Sequence, residues 1–190
     1  GGYVFAGFAG GKLVAVDLKN GGLRWEGTVT LPRGTTELER VADVVGQPWV
    51  GDRAACAVAY QGRVSCFNLA NGSQVWARDI SSSAGLGVGT QNVYVSEDAG
   101  AVSAFDGASG GSLWRQDKLG NRQVSAPLPL GPEIVVGDVE GYVHWLAREN
   151  GAFVARQATD GSPIRATPVP FAQGFIVQTT NGGIYALSAE

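Results

Sequence analysis

Methionine is absent from all 190 residues, position 1 included, and histidine occurs once, at His144. The two cysteines, Cys56 and Cys66, form no C-x-x-C pair and have no histidine at ligand spacing. A structural zinc site asks for about four nitrogen or sulfur ligands, so this chain cannot supply one from histidine and cysteine alone. Charge is also scarce: 16 % of residues are charged, the net charge is −3, and no basic run occurs. That argues against nucleic acid or an anionic membrane surface as the main partner. No apolar stretch approaches the ~20 residues of a membrane-spanning helix, and no charged-then-apolar leader opens the chain. Lacking an initiator methionine, the chain reads as a processed or partial piece whose leader could lie upstream.

Glycine, by contrast, is abundant at 29 residues, without the three-residue period of collagen, and 44 % of residues are hydrophobic. The glycines mark a repeat. Gly11 to Trp25 reads GKLVAVDLKNGGLRW, Gly62 to Trp76 reads GRVSCFNLANGSQVW, and Gly100 to Trp114 reads GAVSAFDGASGGSLW. Gly141 to Ala155 gives GYVHWLARENGAFVA, and Gly182 onward gives GGIYALSAE. The leading glycines stand at 11, 62, 100, 141 and 182, at intervals of 51, 38, 41 and 41. A period near 40 fits propellers or helical arrays. The segments decide: each leading glycine joins two short alternating apolar runs, as in a hairpin, and a second turn leads to a third run ending at tryptophan. A weaker run, such as Leu86 to Gly89 or Pro168 to Phe171, precedes each hairpin. The expected fold class is all-β: a β-propeller of four-stranded antiparallel blades, about four of them here.

The repeat core is A-x-D-x-x-x-G-x-x-x-W, carried by Asp17, Gly21 and Trp25, by Asn68, Gly72 and Trp76, and by Asp106, Gly110 and Trp114. These are expected to be structural. The glycine takes a positive φ, the Asp or Asn side chain satisfies turn amides, and the tryptophan lies against the neighbouring blade. In the fourth repeat Ala147 and Ala155 replace aspartate and tryptophan, while Trp145 takes the small slot, which reads as a swap of bulk within one blade. The pattern resembles the PQQ-like repeat of quinoprotein-type propellers over nearly the whole chain. Because the chain opens inside a strand and ends inside a repeat, residues 1–190 are expected to be the C-terminal half of a ring of about eight blades.

The long interval holds an insertion at residues 31–46, with Thr36 and Glu39 at capping-box spacing. Insertions in repeat proteins gather on one rim and often carry contacts. Taken with VAYQGRVSCFNL, VVGDVEGYVHWL and GGIYAL, the string PRGTTELERVADV resembles the BamB family of propeller lipoproteins from the outer-membrane β-barrel assembly machinery. The resemblance implies a non-enzymatic subunit on the periplasmic face of the outer membrane, lipid-anchored through an upstream cysteine. It implies binding to the POTRA domains of BamA, with other assembly subunits and unfolded outer-membrane proteins as further partners, and no cofactor. The partner-binding candidates are Glu37, Leu38, Glu39, Arg40 and Asp43. Asp43 matches the first member of the family's D-V-D acidic pair, and Val45 stands where the second acid belongs.

The enzymatic alternative is a PQQ-type dehydrogenase fragment. Such enzymes carry a vicinal Cys-Cys pair and calcium-binding acids. The acids here, Glu97-Asp98 and Asp138 with Glu140, precede leading glycines, where acids commonly solvate a hairpin turn. A third reading, a glycan-binding module using Trp49, Tyr142 and Trp145 as exposed aromatics, has no clustering in sequence to favour it. His144 shares a strand slot with Ser65 and Ser103 and reads as a partly exposed strand residue. Assuming a two-residue turn at Gln61-Gly62, Cys66 faces Ala57 and the cysteines point to opposite sheet faces, so both are expected to be free thiols.

Overall fold

A computed structural model of the chain describes residues 2–31 and 42–188, and all of its regular structure is β. The chain divides into two compact units, residues 1–86 with the turn 108–110, and residues 87–107 with 111–190. The first unit contains a three-stranded sheet, β1 (Tyr3–Phe8), β2 (Lys12–Asp17) and β3 (Leu23–Thr28), in that order. Its second sheet runs β4 (Trp49–Val50), β5 (Ala54–Val58), β6 (Arg63–Asn68) and β7 (Gln74–Asp79). The division falls within β8 (Gly85–Val88), whose sheet continues in the second unit with β9 (Asn92–Ser96), β10 (Val102–Asp106) and β11 (Ser112–Gln116); the next sheet is β12 (Leu128–Leu130), β13 (Glu133–Gly137), β14 (Tyr142–Ala147) and β15 (Phe153–Ala158). A last three-stranded sheet comprises β16 (Val169–Phe171), β17 (Gly174–Gln178) and β18 (Ile184–Ser188). Every pairing is antiparallel between consecutive strands, the up-and-down order that short turns can connect.

Burial follows the alternating apolar runs. In the first unit Leu13, Ala15, Trp25, Val44, Ala57 and Phe67 share one core. In the second, one cluster gathers Tyr94, Ala104, Ile134, Val136 and Leu146, and another gathers Val135, Trp145, Ile164 and Phe175. The last strand of each of these sheets leaves part of its apolar surface exposed, as at Leu23 in β3, Val75 in β7, Leu113 in β11 and Val154 in β15.

The repeat tryptophan has a recurring environment. Ala15 pairs with Trp25, Cys66 with Trp76 and Ala104 with Trp114, and the register shifts immediately afterwards in each case. A small residue opposite leaves room for the indole to lie across the sheet. In β14 and β15 the partners are Trp145 and Ala155, the same pair with bulk exchanged between strands. Within the first unit Trp25 covers Gly72 and Trp76 covers Gly110; within the second, Trp114 covers Gly151. Those glycines have φ of +71, +67 and +71, and a Cβ at any of them would run into the ring. The Trp25 indole donates to the Leu69 carbonyl at 2.9 Å, and that of Trp114 to the Arg148 carbonyl at 2.9 Å. Trp25 and Trp76 are buried; Trp114 is half-buried.

The turn acids act locally. Asp17 accepts from the Lys19 amide and Asn68 from the Ala70 amide. The same tight turn closes at Ala147, where the Gly151 amide bonds the Ala147 carbonyl and the Asn150 side chain accepts from the Ala152 amide. Asp106 ends β10 at the corresponding turn; in the Asp17 turn, Gly21 has φ +69 with no neighbouring atom in the way of a side chain.

The free-thiol expectation is overturned: Cys56 and Cys66 are disulfide-bonded, with Cα atoms 4.1 Å apart. They are directly opposite because Tyr60, Gln61 and Gly62 form a three-residue loop rather than a two-residue turn. The Ala59 amide bonds the Arg63 carbonyl, which makes 59 and 63 a hydrogen-bonded pair. Counting inward by twos, Cys56 and Cys66 then form a non-hydrogen-bonded pair, where side chains approach most closely.

Candidate functional site

Of the insertion residues singled out from sequence, Glu37, Leu38, Glu39 and Arg40 lie outside the described residues. Asp43 lies within them, at the exit of the insertion. Its carboxylate accepts from the Gly10 amide at 3.2 Å, and its carbonyl accepts from the Tyr60 amide at 2.9 Å. Val44 donates its amide to the Phe8 carbonyl, bridges Ala59, and is buried in the core of the first unit. Residues 42–44 therefore tie the loop after β1 to the loop after β5, with Ala42 also buried. Asp43 is half-exposed, and Val45 beside it is too. One end of the insertion is thus held firmly by hydrogen bonds and apolar burial.

The acids before the leading glycines do more than solvate turns. Glu97 is bound by both Nε and Nη2 of Arg115, at 2.7 and 2.8 Å, and by the Ser103 hydroxyl at 2.6 Å. Burial pushes its carboxyl up, but the bonds from Arg115 and Ser103 outweigh this and hold it below the usual range. Asp138 is fully buried, contrary to the solvating role expected of it, while Glu140 is exposed. Asp138 accepts from the Glu140 and Tyr142 amides and from Arg122 Nε at 2.8 Å, and lies 2.7 Å from His144 Nε2. Here too burial raises the carboxyl, and the bonds from His144, Tyr142 and Arg122 together bring it below its ordinary value.

His144 is correspondingly buried, at 2 % exposure, not the partly exposed residue expected. Trp145 is buried as well, so it is no exposed glycan-stacking aromatic; Trp49 and Tyr142 are half-buried. The sequence signal for the Asp138–His144 pair was positional. Glu97 and Ser103 occupy the same slots around the preceding leading glycine and are also bonded to each other. Two polar residues three before and three after such a glycine face each other across its loop. Among the described residues no group of three histidine, cysteine, aspartate or glutamate side chains is placed to hold a metal.

Repeated antiparallel sheets, three of which carry a tryptophan that covers the turn glycine of a later hairpin, define the chain as a β-propeller of PQQ-like repeats. The sequence model of the outer membrane protein assembly factor BamB family matches residues 1–116 and 98–190. The chain belongs to that family. It is 44 % identical over 190 residues to the outer membrane protein assembly factor BamB of Bordetella pertussis, covering all of this chain and 49 % of that protein. With its counterpart from Nitrosomonas eutropha it shares 46 % identity over 190 residues, covering all of this chain and 46 % of the relative. The chain thus spans about half the length of the curated relatives it matches. Among solved structures, BamB from Moraxella catarrhalis superimposes with a TM-score of 0.90 at 28 % identity, over 97 % of this chain and 55 % of that one. A quinohemoprotein alcohol dehydrogenase from Comamonas testosteroni gives a TM-score of 0.57 at 21 % identity, covering 72 % of this chain and 22 % of that one, a likeness of fold alone.

Proposed function

We propose that the protein is a non-enzymatic scaffold in outer-membrane protein assembly, working on the periplasmic face of the outer membrane and held there by a lipid anchor upstream of this segment. Family membership carries the reading, since the relatives matched along the whole chain are named as assembly factors. In this reading the chain is one part of a larger propeller whose rim, at residues 31–46, docks the POTRA region of BamA. Other assembly subunits and unfolded outer-membrane proteins complete its partners. The insertion suits a polar contact: Glu37 and Glu39 offer carboxylates for charge-assisted bonds, Arg40 offers a bidentate donor, and Leu38 adds an apolar anchor.

Asp43 is a poor probe of this contact, because its carboxylate already serves the Gly10 amide. The test is therefore Glu37→Arg with Glu39→Arg in the intact protein, against Asn71→Asp as a control turn change. Reversing charge at a contact weakens binding by several kcal/mol, roughly a hundredfold or more, whereas the control leaves it unchanged. Equal co-purification of both folded variants with BamA would remove the insertion as the docking loop.

A further inference from the structure

The disulfide of the first unit belongs to a row of four residues that crosses its four-stranded sheet. Trp49 in β4 stands opposite Cys56 in β5, Cys56 opposite Cys66 in β6, and Cys66 opposite Trp76 in β7. Directly opposed residues of antiparallel strands share a sheet face, so the disulfide lies between two indoles on one face. Cys56 is 2 % exposed and Cys66 fully buried; Trp76 is buried and Trp49 half-buried. The strands differ in how they join. A three-residue loop connects β5 to β6, β7 follows a second turn at 69–73, and β4 is only two residues long.

Thiol–disulfide exchange is a substitution at sulfur. The incoming thiolate bonds to one sulfur as the other departs, so it approaches from the side away from the breaking bond. For Cys56 that is the β4 side, where Trp49 stands; for Cys66 it is the β7 side, where Trp76 stands. The completed sheet therefore closes both approaches to a reductant. It equally keeps buried thiols at these positions from reaching the disulfide of an oxidant. The β5–β6 hairpin by itself leaves both cysteines open. It needs only residues 54–68, and its register sets Cys56 and Cys66 opposite each other with Cα atoms 4.1 Å apart. An isolated hairpin is at best marginally stable, so the bond fixes a register that β4 and β7 then extend.

We infer that this chain is a substrate of a disulfide-bearing oxidant, which acts on the β5–β6 hairpin before β4 and β7 complete the sheet, and that Trp49 and Trp76 then shield the product. One cysteine thiolate attacks the oxidant's disulfide, giving a mixed disulfide and expelling one thiolate. The other cysteine attacks the sulfur of its partner in that mixed disulfide, forming Cys56–Cys66 and expelling the oxidant's second thiolate. Two electrons and two protons pass from the cysteines to the oxidant, which leaves with both of its sulfurs as thiols. Supply of the folded protein then depends on an oxidation that precedes folding. Neither BamA nor the scaffold role enters this step.

The experiment uses the intact protein, with glutathione disulfide as oxidant and dithiothreitol as reductant, and reads the Cys56 and Cys66 peptides by mass after acid quenching and alkylation. Chain reduced in denaturant and given the oxidant as refolding begins should form the bond at least about a hundredfold faster than chain given it after refolding, when exchange waits for local opening. Oxidised protein disulfide isomerase is run beside glutathione disulfide, and the faster shows whether a protein or a small disulfide is the better oxidant. The native disulfide should resist dithiothreitol by at least about a hundredfold relative to the unfolded protein, and this measurement decides if the reduced chain does not refold. Trp49→Ala should speed reduction of the native protein by about tenfold or more, whereas Val50→Ala, in the same strand but outside the row, should leave it near the parent. Equal rates for early oxidant and for oxidant added to refolded chain, a native disulfide reduced as fast as the unfolded one, or two variants that behave alike would overturn the assignment.

Discussion

A buried indole contributes in two ways here, through the apolar area it removes from water and through the one bond its nitrogen makes. Trp25 has both: it is 7 % exposed and donates to the Leu69 carbonyl. Trp25→Ala should cost about 3–5 kcal/mol, as large-to-small core changes do, read from the denaturation midpoint. Leu23→Ala, two residues away and 64 % exposed, should cost a small fraction of that. Equal effects would remove the docking role. Asp138 gives a second prediction at this scale. Its carboxyl is held below the ordinary value near 4, so folding is stabilised above that pH and the contribution fades as pH falls through the lowered folded value. Melting temperature measured from about pH 5 downward should therefore drop less steeply in Asp138→Asn, which cannot titrate, than in the parent. An unchanged slope would mean the His144 and Arg122 bonds do not act on Asp138 as the geometry requires.

At the scale of the hairpin, the loop after the first strand fixes everything beyond it. All five leading glycines close three-residue loops, shown by the partners Phe8 and Lys12, Ala59 and Arg63, Glu97 and Ala101, Asp138 and Tyr142, and Thr179 and Gly183. Gly100, Gly141 and Gly182 take positive φ at the third position, as a type I turn closed by a left-handed residue requires, and Gly11 does so after a second left-handed glycine, Gly10. Gly62 does not; in its loop the left-handed residue is Gln61, at φ +50. Gly62 is needed for space, because a Cβ would press on Thr30 and Ala59. A glycine after glutamine therefore read as a two-residue turn, and one residue of register moved Cys66 to the wrong face. The strands themselves were legible, since alternation and turn spacing are local; the loop conformation depended on Thr30, 32 positions away in sequence. The disulfide is checked directly: the denatured, unreduced protein should titrate no thiols and the reduced protein two. Closing so short a loop should add about 2–3 kcal/mol, seen as an earlier denaturation midpoint after reduction. Two thiols before reduction would restore the rejected register.

Across the whole molecule, what repeats is the joint between sheets as much as the sheet. That explains which parts of the protein could be read from sequence. Trp25, Trp76 and Trp114 recur because three joints each seat an indole on a glycine, and recurrence makes them visible in a single chain. The Asp138–His144–Arg122 group occurs once and draws Arg122 from the segment after β11, so no period announces it. The joint can be separated from the backbone preference that accompanies it. Gly151 and Gly131 both belong to the second unit and both have positive φ, at +71 and +54. Only Gly151 lies under an indole; around Gly131 a side chain would meet nothing. Alanine at either position should pay the left-handed penalty of about 1–2 kcal/mol. Gly151→Ala must in addition displace Trp114 from its seat and stretch its bond to the Arg148 carbonyl. Its loss of stability should therefore exceed that of Gly131→Ala by about 1–3 kcal/mol, the usual cost of overfilling a packed site. The extra loss should vanish in the background of Trp114→Ala, because removing the indole empties the space the new methyl needs. If the two glycine variants are equally stable, or the difference survives without the indole, the sheets are joined by something other than tryptophan on glycine.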